Sequence, residues 1–384
     1  MMEAWDENMS ALVYGIGALS FTGSRDSPVN DNCSRHHIHR LPVELLRHIF
    51  LLSVNDIYPS IFSFGNMTIS ANFAEPPLVF TRVCRLWRVV ALSTAGVWSR
   101  IQVALPGGVE KLQQFLSSLL RFWLARSGSL PLTLRIVPPP PRTKSRCTFA
   151  ASAANAQVLE ILISEAGRWE MASVMPTTLT FARKDIDAPR LRTLECYWTD
   201  LSKLNAPNLC HLHISHQHHL STAILFTDTD TYKHMRHLHL QVASGQVIHT
   251  SLIIFHHLET IVADIGSSDI GTPRDSITHH YLETMTLPLY ANPLYRRGFI
   301  DIFNGLNLPK LQKLTVAAKP KGPEVKCIMA VLTAASCHLR VLDFQTEIPL
   351  SEVDVNEVEP LFSAVREVTV RGEVLRRPAT DPPS

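Results

Sequence analysis

What most constrains this chain is a six-residue pattern, L-x-x-L-x-L with related apolar residues allowed, that returns eight times in its second half. It reads LRTLEC at 191, LCHLHI at 209, MRHLHL at 235, LETIVA at 258, LETMTL at 282, LQKLTV at 311, LRVLDF at 339 and VREVTV at 365. Successive starts are 18, 26, 23, 24, 29, 28 and 26 residues apart. Spacings of about 20–29 residues belong to repeats that lay down one short strand each. A unit this small cannot bury its own apolar edge, so the units must bury one another's by stacking. Several are introduced by a proline or a small polar segment: Ala188-Pro189, Ala206-Pro207-Asn208 and Leu308-Pro309-Lys310. The fold class expected from this half is α/β: a solenoid with a parallel sheet on its concave face and helices or loops returning along the outside. The uneven spacing and the missing asparagine ladder make it irregular.

Strand alternation says which side chains such a sheet presents. With the first, fourth and sixth pattern positions inward, the third and fifth face the concave side. These are Thr193 and Glu195, His211 and His213, His237 and His239, Thr260 and Val262. They continue as Thr284 and Thr286, Lys313 and Thr315, Val341 and Asp343, Glu367 and Thr369. Only the two valines break a polar file. Of these, Glu195, His211, His213, His237, His239, Lys313, Asp343 and Glu367 are the candidate contacts for a bound protein. The plainer alternative is that solvated strands favour threonine and polar residues without binding anything. Eighteen histidines is an unusual number, and His211, His213, His216, His218 and His219 cluster near His234, His237 and His239. Imidazoles on adjacent strands could share zinc or change charge near pH 6. No local Cys, Asp or Glu completes a ligand set, so the reading is a surface patch with no metal and no cofactor.

The other informative stretch is 41–103. Pro42 stands where a helix begins, at a position whose missing N–H costs nothing. Behind it Leu45, Ile49 and Leu52 recur at spacings of four and three, widened by Leu46 and Phe50 into an apolar face. Val79, Val83, Trp87 and Val90 repeat the logic at spacings of four, four and three, and Val97-Trp98 pins a separate short segment. Each piece is too short to be stable alone and must bury against the others or a partner. Leu41-Pro42, Glu44-Leu45-Leu46, Ile49-Phe50, Val83-Cys84 with Trp87, and Val97-Trp98 match the F-box in order. Ala91-Leu92-Ser93-Thr94 and the run Trp123 to Gly128 before Pro131-Leu132 fit the same likeness. The chain thus resembles fungal F-box proteins with leucine-rich-repeat-like C-terminal regions. Residues 54–77, longer than the usual connection between the first two helices, depart from that pattern.

The resemblance implies a small three-helix F-box that docks the adaptor subunit of an SCF-type cullin-RING ubiquitin ligase. By matching positions, Leu41, Pro42, Leu45, Ile49, Val83, Cys84 and Trp87 are the adaptor-binding candidates. For Trp87, holding the helices together weighs equally with docking. The repeat region would then hold an unknown substrate protein, and the chain itself would perform no bond chemistry. A repeat scaffold with no link to ubiquitin transfer is the alternative. The expected organisation is a leader over 1–38, the F-box over 39–103 with an inserted loop 54–77, the solenoid over 104–372 and a disordered tail over 373–384.

Composition limits the rest. With 46% apolar and 18% charged residues, a substantial interior is expected and wholesale disorder is not. A net charge of +2 argues against a nucleic-acid partner. Seven scattered cysteines without a C-x-x-C pair read as reduced thiols in cytoplasm or nucleus. The acidic start does not read as a signal peptide, and no eighteen-residue apolar run predicts a membrane span. Gly15 and Gly17 do not make a dinucleotide loop, because Ser20 stands at the third glycine position. His36, His37 and His39 lack matched ligands and read as loop. Leu112, Phe115, Leu116, Leu119, Leu120 and Trp123 predict a helix over 110–126 closed by Gly128. Leu130, Leu132, Leu134 and Ile136 predict a strand, Pro138 to Pro141 a stiff connector, and 155–171 a helix. The signatures of P-loop, zincin, serine-hydrolase and EF-hand chemistry are missing from the sequence, which reads as that of a non-enzyme.

Overall fold

A computed structural model describes residues 41–55, 76–105, 113–137, 153–174, 185–196, 201, 204–215, 232–266, 276–289, 293–334 and 339–375. They fall into two compact units, residues 1–45 and 46–384, divided inside the first helix, α1 (Val43–Asn55). Of the first unit only 41–45 are described, with Leu41 half-buried and Pro42 and Leu45 exposed. The expected leader 1–38 with Gly15 and Gly17, and His39, lie outside the described residues. So do 56–75 of the insertion, Pro138 to Pro141, 142–152, His216, His218, His219 and the tail from 376.

The second unit opens on the rest of α1, whose Leu46, Phe50 and Val54 are buried at spacings of four. Phe50 stacks on Phe80 with centroids 4.0 Å apart, and Trp87 meets both rings edge-on at 5.0 and 6.1 Å. The stripe Val79, Val83, Trp87, Val90 does not form one helix. Cys84 takes an extended backbone (φ −159°, ψ 175°), and its Sγ accepts a long 3.5 Å hydrogen bond from Trp87 N, capping a new start. The segment therefore divides into α2 (Phe80–Val83) and α3 (Arg85–Ser93), and Val83 emerges exposed while Val90 is buried. A 3-10 turn (Ala95–Trp98) follows. Trp98 Nε1 donates to Ala91 O at 2.8 Å, and its ring meets Trp123 of α4 (Gln113–Arg126) edge-on at 5.0 Å. Gly96 permits the close approach of that turn to α1, since a Cβ there would stand 2.7 Å from Leu51 Cδ2. Gly128 ends α4 at φ +58°, the left-handed geometry expected of it.

The sheet begins earlier than the hexapeptides. Its strands are β1 (Arg100–Ala104), β2 (Leu132–Val137) and β3 (Trp169–Val174), then β4 (Thr193–Cys196), β5 (His211–Ile214) and β6 (His237–Ala243). They continue as β7 (Thr260–Gly266), β8 (Thr284–Pro288), β9 (Lys313–Ala317), β10 (Val341–Phe344), β11 (Glu367–Val370) and β12 (Glu373–Val374). Spatial order equals chain order, and every pair is parallel except β11–β12. The chain is thus mixed α/β with one large, mostly parallel sheet. A domain boundary at 103 would cut β1. The single helix read over 155–171 is instead α5 (Ala153–Ser164) followed by β3. The apolar run Val158 to Ile163 keeps its helix, whereas Trp169, Ala172 and Val174 are buried as strand residues.

All eight hexapeptides supply strands, β4 to β11, in one common phase. Thr193, His211, His237, Thr260, Thr284, Lys313, Val341 and Glu367 lie side by side, each paired with the next. The fourth and sixth positions are buried throughout. The prolines ahead of three units occupy the second position of turns whose closing bonds are Leu191 N to Ala188 O, Leu209 N to Ala206 O and Leu311 N to Leu308 O, 3.0–3.1 Å. Ahead of β8 a side chain replaces the carbonyl: His279 Nδ1 accepts from Leu282 N at 3.1 Å. The helices α6 (Gly245–Ile254), α7 (Pro293–Phe303) and α8 (Gly322–Ala334) lie between consecutive hexapeptide strands. His249 Nε2, on α6, lies 2.6 Å from Ile302 O of α7, and Arg296 of α7 pairs with Glu324 of α8 at 3.2 Å.

The sheet closes at β12, beyond the expected end at 372. Arg371 and Gly372 both have positive φ, 55° and 80°, as a type I′ hairpin requires. Leu375 is buried behind them. No described helix is long and apolar enough to cross a membrane.

Candidate functional site

Two surfaces stand out, one on the sheet and one on the N-terminal helices. On the sheet, parallel pairing in register sets His211 beside His237 and His213 beside His239. Both pairs stack, with centroids 4.3 Å apart at 16° and 4.0 Å apart at 5°. Carboxylates flank the second pair. His213 Nδ1 stands 3.5 Å from Glu195 Oε1 on β4, and His239 Nε2 stands 2.8 Å from Asp264 Oδ1 on β7. Ser173 Oγ on β3 donates to Glu195 Oε2 at 2.7 Å, and Ser215 Oγ lies 3.3 Å from His213 Nε2. One row of stacked rings and polar contacts therefore runs across five adjacent strands, β3 to β7.

Burial disfavours the charged form of the two imidazoles on β5. Burial lowers the pKa of His213, aided by the neighbouring His239 and opposed by Glu195 and Asp264. Burial likewise lowers that of His211, with His237 adding to the effect. Lowered values leave lone pairs on imidazole nitrogens at neutral pH, the form that accepts hydrogen bonds or ligates a metal.

The expectation that no carboxylate completes the histidine cluster is overturned by Glu195 and Asp264. Glu195 was already in the polar file, but on another strand from the imidazole it meets. Asp264 was not in it at all. It is the seventh residue of its unit, so carrying the alternation one step past the hexapeptide would have found it, with Ser215 and Gln241. Ser173 lies on a strand without the pattern and had no such signal.

The other predicted sheet residues do not join this patch. Lys313 is exposed on β9 between Thr284 and Val341, and Glu367 is half-buried beside Val341 on β11. Asp343 is closed off: it is 5% exposed, and its Oδ1 accepts from Thr369 Oγ1 at 2.6 Å and Gly372 N at 3.0 Å. It holds the terminal hairpin rather than facing solvent.

On the helices, α1 is apolar on two sides and buries one. Ile49 is 42% exposed and Leu52 47%, while Leu46, Phe50 and Val54 fill the core; Leu45, one turn before Ile49, is 52% exposed. Val83 and Val89 are exposed at 51% and 65%. Cys84 is half-buried as the cap of α3, and Trp87 is half-buried against Phe50 and Phe80. The predicted set thus separates into exposed residues (Pro42, Leu45, Ile49, Val83) and half-buried ones (Leu41, Cys84, Trp87). Comparison with models of known protein families and with curated proteins found no match for this chain.

Proposed function

We propose that this chain is the substrate-recognition subunit of an SCF-type cullin-RING ubiquitin ligase, an F-box protein whose irregular leucine-rich-repeat solenoid holds a substrate protein. The observation that carries the reading is the unused apolar side of α1. A helix that exposes Ile49 and Leu52 while burying Leu46, Phe50 and Val54 leaves apolar area in water at a cost of about 25 cal/mol per Å². An apolar partner surface removes that cost. In the F-box resemblance Ile49 and Val83 fall on adaptor-docking positions, as do Leu41, Pro42 and Leu45. Cys84 and Trp87 support them, the one by capping α3 and the other by packing on Phe50.

The sheet's polar file would receive the substrate, with Glu195, His211, His213, His237 and His239 at its middle and Lys313 and Glu367 further along. The mechanism is proximity: one end grips the assembly while the other holds a target lysine near a ubiquitin-charged enzyme carried elsewhere. The chain supplies no bond chemistry of its own.

Co-purification with the recombinant adaptor tests this. The full chain is expected to form a stable 1:1 complex, and the Ile49→Asp, Leu52→Asp double variant to lose it while keeping its circular dichroism spectrum. A wild-type chain that never retains the adaptor would leave a protein-binding scaffold and end the ligase reading.

A further inference from the structure

The stacked imidazoles and their carboxylates have a use that docking does not explain. His213, His239 and Asp264 each present one ligand atom, and these atoms all lie within 4.8 Å of one another. Zinc-class ions hold nitrogen and oxygen ligands at about 2.0–2.2 Å, which places neighbouring ligand atoms about 3.3 Å apart around a tetrahedral ion. The three are therefore already near the separation a bound cation needs.

Glu195 supplies an independent indication. Its Oε2 is fixed by Ser173 Oγ at 2.7 Å, whereas its Oε1 is shielded from solvent and makes no hydrogen bond. A buried carboxylate oxygen left without a donor is costly. The group 3.5 Å away is His213 Nδ1, too far for a charge-assisted hydrogen bond but close to the spacing of two ligands on one ion. Ser215 Oγ engages the other ring nitrogen, Nε2, which leaves Nδ1 toward Glu195. Glu195 thus flanks His213 from β4, outside the trio whose ligand atoms share one space.

We propose that His213, His239 and Asp264 form a binding site for a zinc-class divalent cation spanning strands β5 to β7, with Glu195 beside His213 on β4. Two imidazoles and one carboxylate favour the borderline cations over magnesium or calcium, which prefer all-oxygen sets. Stacked parallel rings cannot both aim lone pairs at one ion, so binding requires them to turn about the Cβ–Cγ bond. Both sit on the open side of the sheet, with side chains 20% and 33% exposed. The cation would tie three consecutive strands together, and this holds whether or not α1 docks an adaptor.

The test uses the full chain without a histidine tag, stripped with chelator, dialysed against zinc chloride, desalted and analysed for metal. About one zinc per chain is expected, with a zinc-dependent rise in Tm that magnesium does not produce. His239→Ala and Asp264→Asn should each weaken zinc binding by at least about tenfold, while His256→Ala leaves it unchanged. Asp264→Asn preserves size and hydrogen-bonding capacity, so it keeps the test valid if His239→Ala misfolds. Wild-type protein that retains well under one equivalent overturns the proposal. So does an Asp264→Asn chain that binds zinc as tightly as wild type.

Discussion

Asp343 and Ile49 show how little a residue's type says about its work. Both were candidates for binding, one as a charge on an open strand and the other as part of an apolar stripe. Asp343 instead accepts from Thr369 Oγ1 and Gly372 N in a site that is 5% exposed. Replacing it with alanine leaves the buried Thr369 hydroxyl without its acceptor and removes the bond that Gly372 N makes. Asp343→Ala is expected to destabilise the chain by about 1–3 kcal/mol in urea unfolding, with no change in zinc binding. Ile49 stands beside Phe50 in sequence, yet the two should behave oppositely. Phe50→Ala is expected to cost about 3–5 kcal/mol, whereas Ile49→Ala should shift stability by no more than about 0.5 kcal/mol. Equal losses from the two would show that Ile49 is not solvent-facing.

At the scale of elements, periodicity identified α1 and the eight hexapeptide strands but not the break between α2 and α3. Val79, Val83, Trp87 and Val90 keep helical spacing across Cys84, and nothing in that spacing announces an extended residue. The break follows from a side chain reaching three residues forward, Cys84 Sγ to Trp87 N, together with the demand of Phe50 and Phe80 for the Trp87 ring. Helix ends elsewhere rest on similar local bonds. Arg168 ties the end of α5 to that of α4, donating to Glu165 Oε2 at 2.8 Å, Ser127 Oγ at 2.7 Å and Leu130 O at 3.0 Å. Arg168→Met keeps the stem but loses those bonds. Its urea midpoint should fall by an amount equivalent to about 1–3 kcal/mol, measured by tryptophan fluorescence.

For the whole molecule, the buried histidines set an acid limit. Burial lowers the pKa of His279, opposed by its bond to Phe255 O and reinforced by nearby histidines; burial also lowers that of His249. A histidine whose folded pKa is depressed binds its proton more readily when unfolded. Its stabilising contribution is therefore complete above the unfolded value of about 6.5 and is lost as pH falls below it. The chain is expected to lose stability steadily from about pH 6.5 to about pH 5, followed by urea midpoints at each pH. His279→Gln can still donate to Phe255 O and accept from Leu282 N, and should flatten part of that slope. An unchanged slope would assign the acid sensitivity to other groups.

The sequence by itself determined the strand phase, because a period of two fixes which side chains are buried once eight like units pair in parallel. It also determined the apolar excess of α1, since helical spacing is a local property. Only the tertiary structure decided which apolar side of α1 is buried and that Asp343 clasps the last hairpin. It also decided that the sheet begins at β1, and that Glu195 and Asp264 flank His213 and His239. Those facts depend on neighbours 18 or more residues away, brought close by register. Pairing between strands is a relation that no single stretch of sequence contains.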